Sequence, residues 1–249
     1  MTITASSKIR DVARDIPASL AVFERYGVDF CCGGDRPLSE AVQGIKLSVG
    51  DLIAEIEAAA EAQQEEDSLH EDWSRYSPAG LTRHIEQAHH EYLREELPKA
   101  GAALAKVIRV HGDRHSELFD LGRVFQRLRN DLLAHLEREE TVIFPAIRDS
   151  LGEGPPGEEG EEGALGPPPP ELLDWLDGLE ADHDVAGGLL REMRRITDGY
   201  DLPEDACATY GRLYETLAAL EADIHRHVHL ENNILIPEVR ETLARLASS

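Results

Sequence analysis

Apolar residues recur at three- and four-residue steps along most of the chain. In the first stretch they are Ile9, Val12, Ile16, Leu20, Phe23 and Tyr26, the spacing of one helical face. Pro17 stands where a helix can begin and Gly27 where one can stop. The residues Val28 to Gly34 then read as a tight non-helical turn, and two further helical stretches are expected near 37–44 and 49–62. This first unit, residues 1–62, has a small core and is expected to lean on a partner or on the rest of the chain. Residues 63–77 are polar and acidic and read as a linker. A long helix is expected from Pro78 to about Gly101, continuing toward Val110, with Leu81, Ile85, Ala88, Tyr92 and Leu93 as its apolar positions. A second helix is expected over 116–150, a third over 171–198 and a fourth over 204–246, with Pro203 at its start. Residues 152–170, rich in Gly, Pro and Glu and closed by four prolines, read as a flexible surface loop. The pattern therefore predicts an all-α chain: a small helical domain (1–62), a linker (63–77) and an up-down four-helix bundle (78–249).

Composition agrees with this reading. Aromatic residues are only 5%, and the mix of Ala, Leu, Glu and Arg favours helices. Runs that alternate with the period of a strand are almost absent. The 49 acidic residues against 25 basic ones leave a net charge of −24. Such a surface repels phosphate backbones, so nucleic acid is excluded as an expected partner. No apolar run approaches the ~20 residues of a membrane span, and Met1 to Arg14 lacks an apolar segment of the signal-peptide kind. The expected compartment is the cytoplasm, with no membrane partner. Three cysteines, two of them adjacent, make no disulfide framework.

An internal repeat carries the chemistry. His135-Leu-Glu-Arg-Glu139 is followed by Pro145 and Arg148, and His227-Val-His-Leu-Glu231 by Pro237 and Arg240. Both read H-x3-E-x5-P-x2-R. The repeat reaches back to the preceding helices, where Ala88-His89-His90-Glu91 matches Ala181-Asp182-His183-Asp184. His90 precedes His135 by 45 residues and His183 precedes His227 by 44. The chain thus holds two copies of one helix pair, each offering one His from its first helix and a His plus a Glu from its second. A His and a Glu four apart lie on the same helix face and can reach one point.

Four imidazoles and two carboxylates suit a dinuclear site with two His per metal, since a carboxylate can bridge two ions. Nitrogen and oxygen donors without thiolate favour iron. Two six-coordinate irons would need roughly twelve donors and the protein supplies about eight, so oxo, hydroxo or water ligands must complete the set. The other histidines fit less well. His225 and His229 lie about 200° around the helix from His227, His89 about 100° from His90, and His84 about 240° from it. His70, His111 and His115 fall in linker or helix-end contexts. Glu140 could substitute for Glu139, but Asn232 holds the matching place in the second copy.

At these residues the chain resembles a hemerythrin-like domain, most closely in His227-Val-His-Leu-Glu231-Asn-Asn-Ile-Leu-Ile-Pro237. Tyr26-Gly-Val-Asp-Phe-Cys31-Cys32-Gly33-Gly34 resembles the short N-terminal domain of the repair-of-iron-centres proteins, whose architecture has these two parts in this order. The resemblance implies a cytoplasmic protein with two non-haem irons, oxo- or hydroxo-bridged, held by His90, His135, Glu139, His183, His227 and Glu231. It implies recovery of iron–sulfur centres damaged by nitrosative or oxidative stress, through iron donation. Damaged iron–sulfur proteins or a cluster scaffold would then be the macromolecular partners, nitric oxide or dioxygen the small ligands, and a homodimer a compatible assembly. Two other readings stand beside it. One is a nitric oxide reductase that makes nitrous oxide and takes electrons from a partner. The other is an oxygen- or redox-sensing binding protein. Oxygen-carrying hemerythrins use five His, and the extra one has no evident match here.

Cys31 and Cys32 are the expected functional thiols, for thiolate donation to iron, thiol exchange or nitric oxide chemistry. Gly33 and Gly34 beside them would let the backbone expose both sulfurs. The competing reading is a pair of small apolar side chains in a tiny core. Cys207, near the start of the fourth helix, reads as a core thiol.

Overall fold

Rupture of the first apolar stretch is the clearest departure from the sequence pattern. Helix α1 (Ile9–Asp15) stops and α2 (Ser19–Tyr26) begins anew, because Ile16 precedes Pro17, whose ring excludes the helical conformation from the residue before it. Ile16 adopts φ −132° and ψ 81°. Gly27 ends α2 in the left-handed conformation, φ +65°, where a Cβ would be strained. This computed structural model describes residues 2–43, 45, 47–65, 73, 76–151 and 166–247. Most of the linker expected over 63–77, and residues 152–165 of the expected loop, lie outside the described residues, as does His70.

Contacts divide the chain into two compact units, residues 1–76 with 225–249 and residues 77–224. In the first, α3 (Leu38–Ala41) and α4 (Val49–Glu65) follow the turn after α2. Ser48 caps α4, its hydroxyl accepting from the Asp51 amide at 3.1 Å, which satisfies an amide left open in the first turn. Ile9, Val12, Phe23, Phe30, Leu38, Leu52 and Ile56 are fully buried. The small core foreseen from the sequence is completed by the C-terminal residues of the same unit. Helix α1 packs on the turn at 231–235, Arg226 pairs with Glu24 at 2.8 Å, and Phe30 meets the rings of His225 and His229 edge-on.

In the second unit, α5 (Pro78–Ile85) runs through a π-helical turn, π1 (Glu86–His90), into α6 (Glu91–His111). Ser77 caps α5, with Pro78 at its first position. Helix α7 (Glu117–Arg138) continues through π2 (Glu139–Ile143) into α8 (Phe144–Leu151). Helix α9 is Leu172–Ile196, and α10 (Ala208–Leu230) begins in this unit and continues, from residue 225 as part of the first unit, through π3 (Glu231–Leu235) into α11 (Ile236–Leu246). Helix α7 packs against α6 and α9, and α8 against α5. Four long helical stretches after a small helical segment make the chain all-α, and no β-strand occurs among the described residues.

Two expectations shift. The fourth stretch begins at Ala208, since Pro203 starts a turn whose carbonyl accepts from Ala206. Ala88 is exposed while His89 is buried, because the widened turn π1 changes the phase of the helix face there.

Candidate metal centre

Three π-turns mark the positions of the expected ligands. His90 ends π1, Glu139 begins π2 and Glu231 begins π3. In each the hydrogen bond spans five residues, from Glu91 to Glu86, from Phe144 to Glu139 and from Ile236 to Glu231. The repeat's prolines account for two of them. Pro145 and Pro237 carry no amide proton, and their rings would crowd the carbonyl four residues back in a regular helix. A widened turn just before each proline relieves that clash, and such turns gather at functional sites.

Within the 77–224 unit the structure brings together His90, His135, Glu139 and His183. Glu139 is 0% exposed, and His90, His135 and His183 are 1%, 5% and 2% exposed. The two oxygens of Glu139 face different imidazoles. Its Oε2 is 3.4 Å from His90 Nε2, and its Oε1 is 3.2 Å from His135 Nε2. His183 Nε2 stands 3.1 Å from His135 Nε2. In the other unit His227 Nε2 lies 3.1 Å from Glu231 Oε1, both side chains fully buried, the same pairing that His135 makes with Glu139.

Second-layer carboxylates fix which way these rings face. His90 Nδ1 is 2.9 Å from Glu140 Oε1, and His135 Nδ1 is 3.3 Å from Asp182 Oδ2. An ionised carboxylate only accepts, so each Nδ1 carries a proton and Nε2 is the ring nitrogen turned toward Glu139, the one that can donate a lone pair to a metal. Arginines anchor both carboxylates, Arg94 on Glu140 at 2.8 Å and Arg138 on Asp182 at 3.1 Å. The hydrogen bond from His135 and the nearby Arg138 charge hold the Asp182 carboxyl below its ordinary value.

Imidazole lone pairs directed at a buried carboxylate repel it unless a cation lies between them. The spacing suits one. Two donors bound to one ion at about 2.1 Å stand about 3.0 Å apart at a right angle and about 3.4 Å apart at the tetrahedral angle. Donor atoms of His135, Glu139 and His183 lie within 4.8 Å of one another, as do those of His90 and Glu139, and those of His227 and Glu231. The imidazole and carboxylate donors fit iron.

The sequence missed the orienting roles of Glu140 and Asp182. Each stands next to one of the expected ligands among other acidic residues, so spacing alone gave no signal for that role. The excluded histidines are occupied elsewhere: His89 faces Asp223 at 2.9 Å, and His229 takes a hydrogen bond from Asn233 Nδ2 at 2.8 Å. Burial pushes the His229 pKa down to about 4.

The cysteine pair lies in the first unit. Asp29 Oδ1 accepts from the amides of Cys32 and Gly33, each at 2.9 Å. The two sulfurs are 3.6 Å apart and unbonded. Cys31 is buried rather than exposed as expected, and only Cys32 is half-exposed. The glycines serve close packing: a Cβ on Gly34 would stand 2.7 Å from Arg10 Cβ. The contact with Cys32 and burial push the Cys31 thiol well up. Asn232 Nδ2 donates to the Cys31 carbonyl at 3.3 Å and Asn233 Nδ2 to that of Phe30 at 3.0 Å, so the cysteine loop rests on π3, the turn that starts at Glu231. Cys207 is exposed, not a core thiol. It stands just before α10 and touches His111.

Comparison with known proteins adds an independent line. The hemerythrin HHE cation-binding domain matches residues 81–163 and 170–239, and the ScdA_N domain of unknown function matches residues 5–60. The chain is 34% identical to the iron–sulfur cluster repair protein ScdA of Staphylococcus haemolyticus, over 94% of this chain and 97% of that protein. It is 32% identical to the iron–sulfur cluster repair protein YtfE of Enterobacter sp. (strain 638), and equally so to that of Escherichia coli O81, over 91% of this chain and 93% of each relative.

Proposed function

This chain belongs to the hemerythrin HHE cation-binding family, with an ScdA_N domain ahead of it, and from that membership we propose that it repairs damaged iron–sulfur clusters using a di-iron centre. We assign the ligands as His90, His135, Glu139, His183, His227 and Glu231. The observation that carries this assignment is Glu139, wholly buried, with its two oxygens divided between the Nε2 atoms of His90 and His135. That is the posture of a carboxylate that bridges two ions. The repeat gives Glu231 the equivalent place beside His227.

Each residue has a distinct task. The four imidazoles supply neutral nitrogen donors, and the two carboxylates offset the charge of the ions. Glu140 and Asp182 hold the protons of His90 and His135 on the side away from the ions. Only two anionic ligands serve two metals, fewer than in bundles that supply four Glu and two His. Iron held by so few carboxylates is released more readily, which suits donation to a damaged cluster. The client is an iron–sulfur protein or a cluster scaffold. Nitric oxide and dioxygen are the small ligands that positions left open by the protein would admit.

Cys31 and Cys32 act in the hand-off, with the half-exposed Cys32 as the outward thiol. The free thiols suit a reducing compartment, the cytoplasm. No helix among the described residues is long and apolar enough to cross a membrane, and the net charge of −24 disfavours nucleic acid. A homodimer is compatible with this scheme.

The test mixes the iron-loaded protein, without oxygen, with a dehydratase whose [4Fe–4S] cluster has been nitrosylated. Donation predicts that dehydratase activity returns while iron leaves this chain in proportion. Return of activity with this chain's iron unchanged would contradict donation, and sustained nitrous oxide production would assign the site to nitric oxide reduction instead.

A further inference from the structure

Cys207 stands alone among the cysteines in being exposed, and its surroundings are those of a nucleophile. It occupies the position before α10, whose first-turn amides leave a positive dipole end beside it. Its sulfur is 3.3 Å from Nε2 of His111, the last residue of α6. That imidazole is only 3% exposed, and its Nδ1 is buried without a hydrogen-bond partner among the described residues. A buried ring nitrogen without a partner is less costly as a bare acceptor than as a stranded N–H. The favoured tautomer therefore carries its proton on Nε2 and donates it to the sulfur, which favours the thiolate.

Neighbours fix this geometry. Tyr210, 0% exposed, packs its ring 5.2 Å from that of His111. His115 approaches His111 with ring centroids 6.3 Å apart and is itself held between Asp205 at 2.8 Å and Glu117 at 3.1 Å. The hydrogen bond to Asp205, with Glu117 beside it, raises the pKa of His115 above its ordinary value. Asp205 also binds Arg114 at 3.3 Å.

We propose that Cys207 and His111 form a thiol–imidazole dyad that exchanges with low-molecular-weight disulfides, making Cys207 a site of reversible mixed-disulfide modification. The thiolate attacks one sulfur of the small disulfide. A new S–S bond to Cys207 forms as the original S–S bond breaks, and the displaced thiolate takes up a proton from water. Two electrons stay within the sulfur couple, and no other oxidant is required. The site lies wholly within the 77–224 unit and involves no residue assigned to the metals.

Hydrogen bonds from the Tyr210 amide and the His111 ring hold the Cys207 thiol down to about 7, and this sets the experiment. Full-length protein is treated with oxidised glutathione, and separately with iodoacetamide between pH 5.5 and 9, with peptide mapping by mass spectrometry. The account predicts one glutathione adduct, on the Cys207 peptide, absent in Cys207→Ser. Alkylation of that peptide should be half-maximal near pH 7 and level off by about pH 8. At pH 7 its rate should exceed that of free cysteine about threefold, since a thiolate fraction near one half is partly offset by the weaker nucleophilicity of a less basic sulfur. His111→Ala should move the midpoint up by about a unit, while His111→Gln, which keeps a donor, should restore part of it. A rate still climbing through pH 8.5, or an adduct on Cys31 or Cys32 with Cys207 unmodified, would overturn the proposal.

Discussion

Glu139 shows what a single side chain can disclose. A carboxylate at 0% exposure is costly to bury as an ion, and imidazole nitrogens of His90 and His135 stand 3.4 and 3.2 Å from its two oxygens. The buried His–Glu pairs were legible in the sequence, because H-x3-E occurs twice with the same flanking residues. Glu140 and Asp182 were not legible as orienting groups, since acidic residues are common on an acidic helical surface and nothing in spacing alone separates them from solvated ones. Their role leads to a prediction. Asp182→Asn or Glu140→Gln should weaken iron binding roughly 10–100-fold, the cost usual for a residue that orients a ligand, with helical circular dichroism unchanged. Competition with a coloured chelator measures this, and iron retention equal to that of the parent protein would refute the orienting role. Cys31 and Cys207 exchanged their expected environments, one buried and one exposed. A cysteine's burial depends on which element closes over it, and the sequence shows no such partner.

The four long helical stretches and their order were readable from the three- and four-residue spacing of apolar positions, but turns within the helices were not. A π-turn inserts one residue, so its signature in the pattern is a phase slip that one wrongly assigned position such as Ala88 can hide. The prolines of the repeat, Pro145 and Pro237, carried the signal for π2 and π3. Arg148, three residues further into the repeat, ties α8 to π1 through Glu86 at 2.9 Å, so the repeat encodes packing beside its His–Glu pairs. The same scale explains how a small N-terminal segment stays folded. Phe30 stacks on Phe23 at 6.0 Å and meets His225 and His229 edge-on at 5.9 and 5.7 Å. Replacing Phe30 with Ala should cost about 3–5 kcal/mol, as for other buried aromatics, read as a lower midpoint in urea unfolding. A cost under about 1 kcal/mol would show that this ring does not hold α1 and α2 to the residues after 225.

For the whole molecule, the two parts of the chain have separable tasks in this account: a bundle that holds iron and a cysteine loop that rests on the turn beginning at a ligand. Binding to the native state alone raises stability by about 2.7 kcal/mol when the free ligand is 100 times its dissociation constant. Iron removal by a chelator should therefore lower the thermal midpoint by roughly 5–10 °C, and an unchanged midpoint would separate the metal from the fold. The polar break after residue 62 is the boundary the sequence offers for an N-terminal segment. That residues 225–249 group with the N-terminal segment was not legible, since pairings across some two hundred residues leave no local trace. The most direct test of the central claim is iron content and Mössbauer spectra of the full chain purified without oxygen, alongside Glu139→Ala and Glu231→Ala. The account predicts two coupled irons per chain in the parent protein and the loss of at least one in each variant. Full iron occupancy in both variants would contradict it.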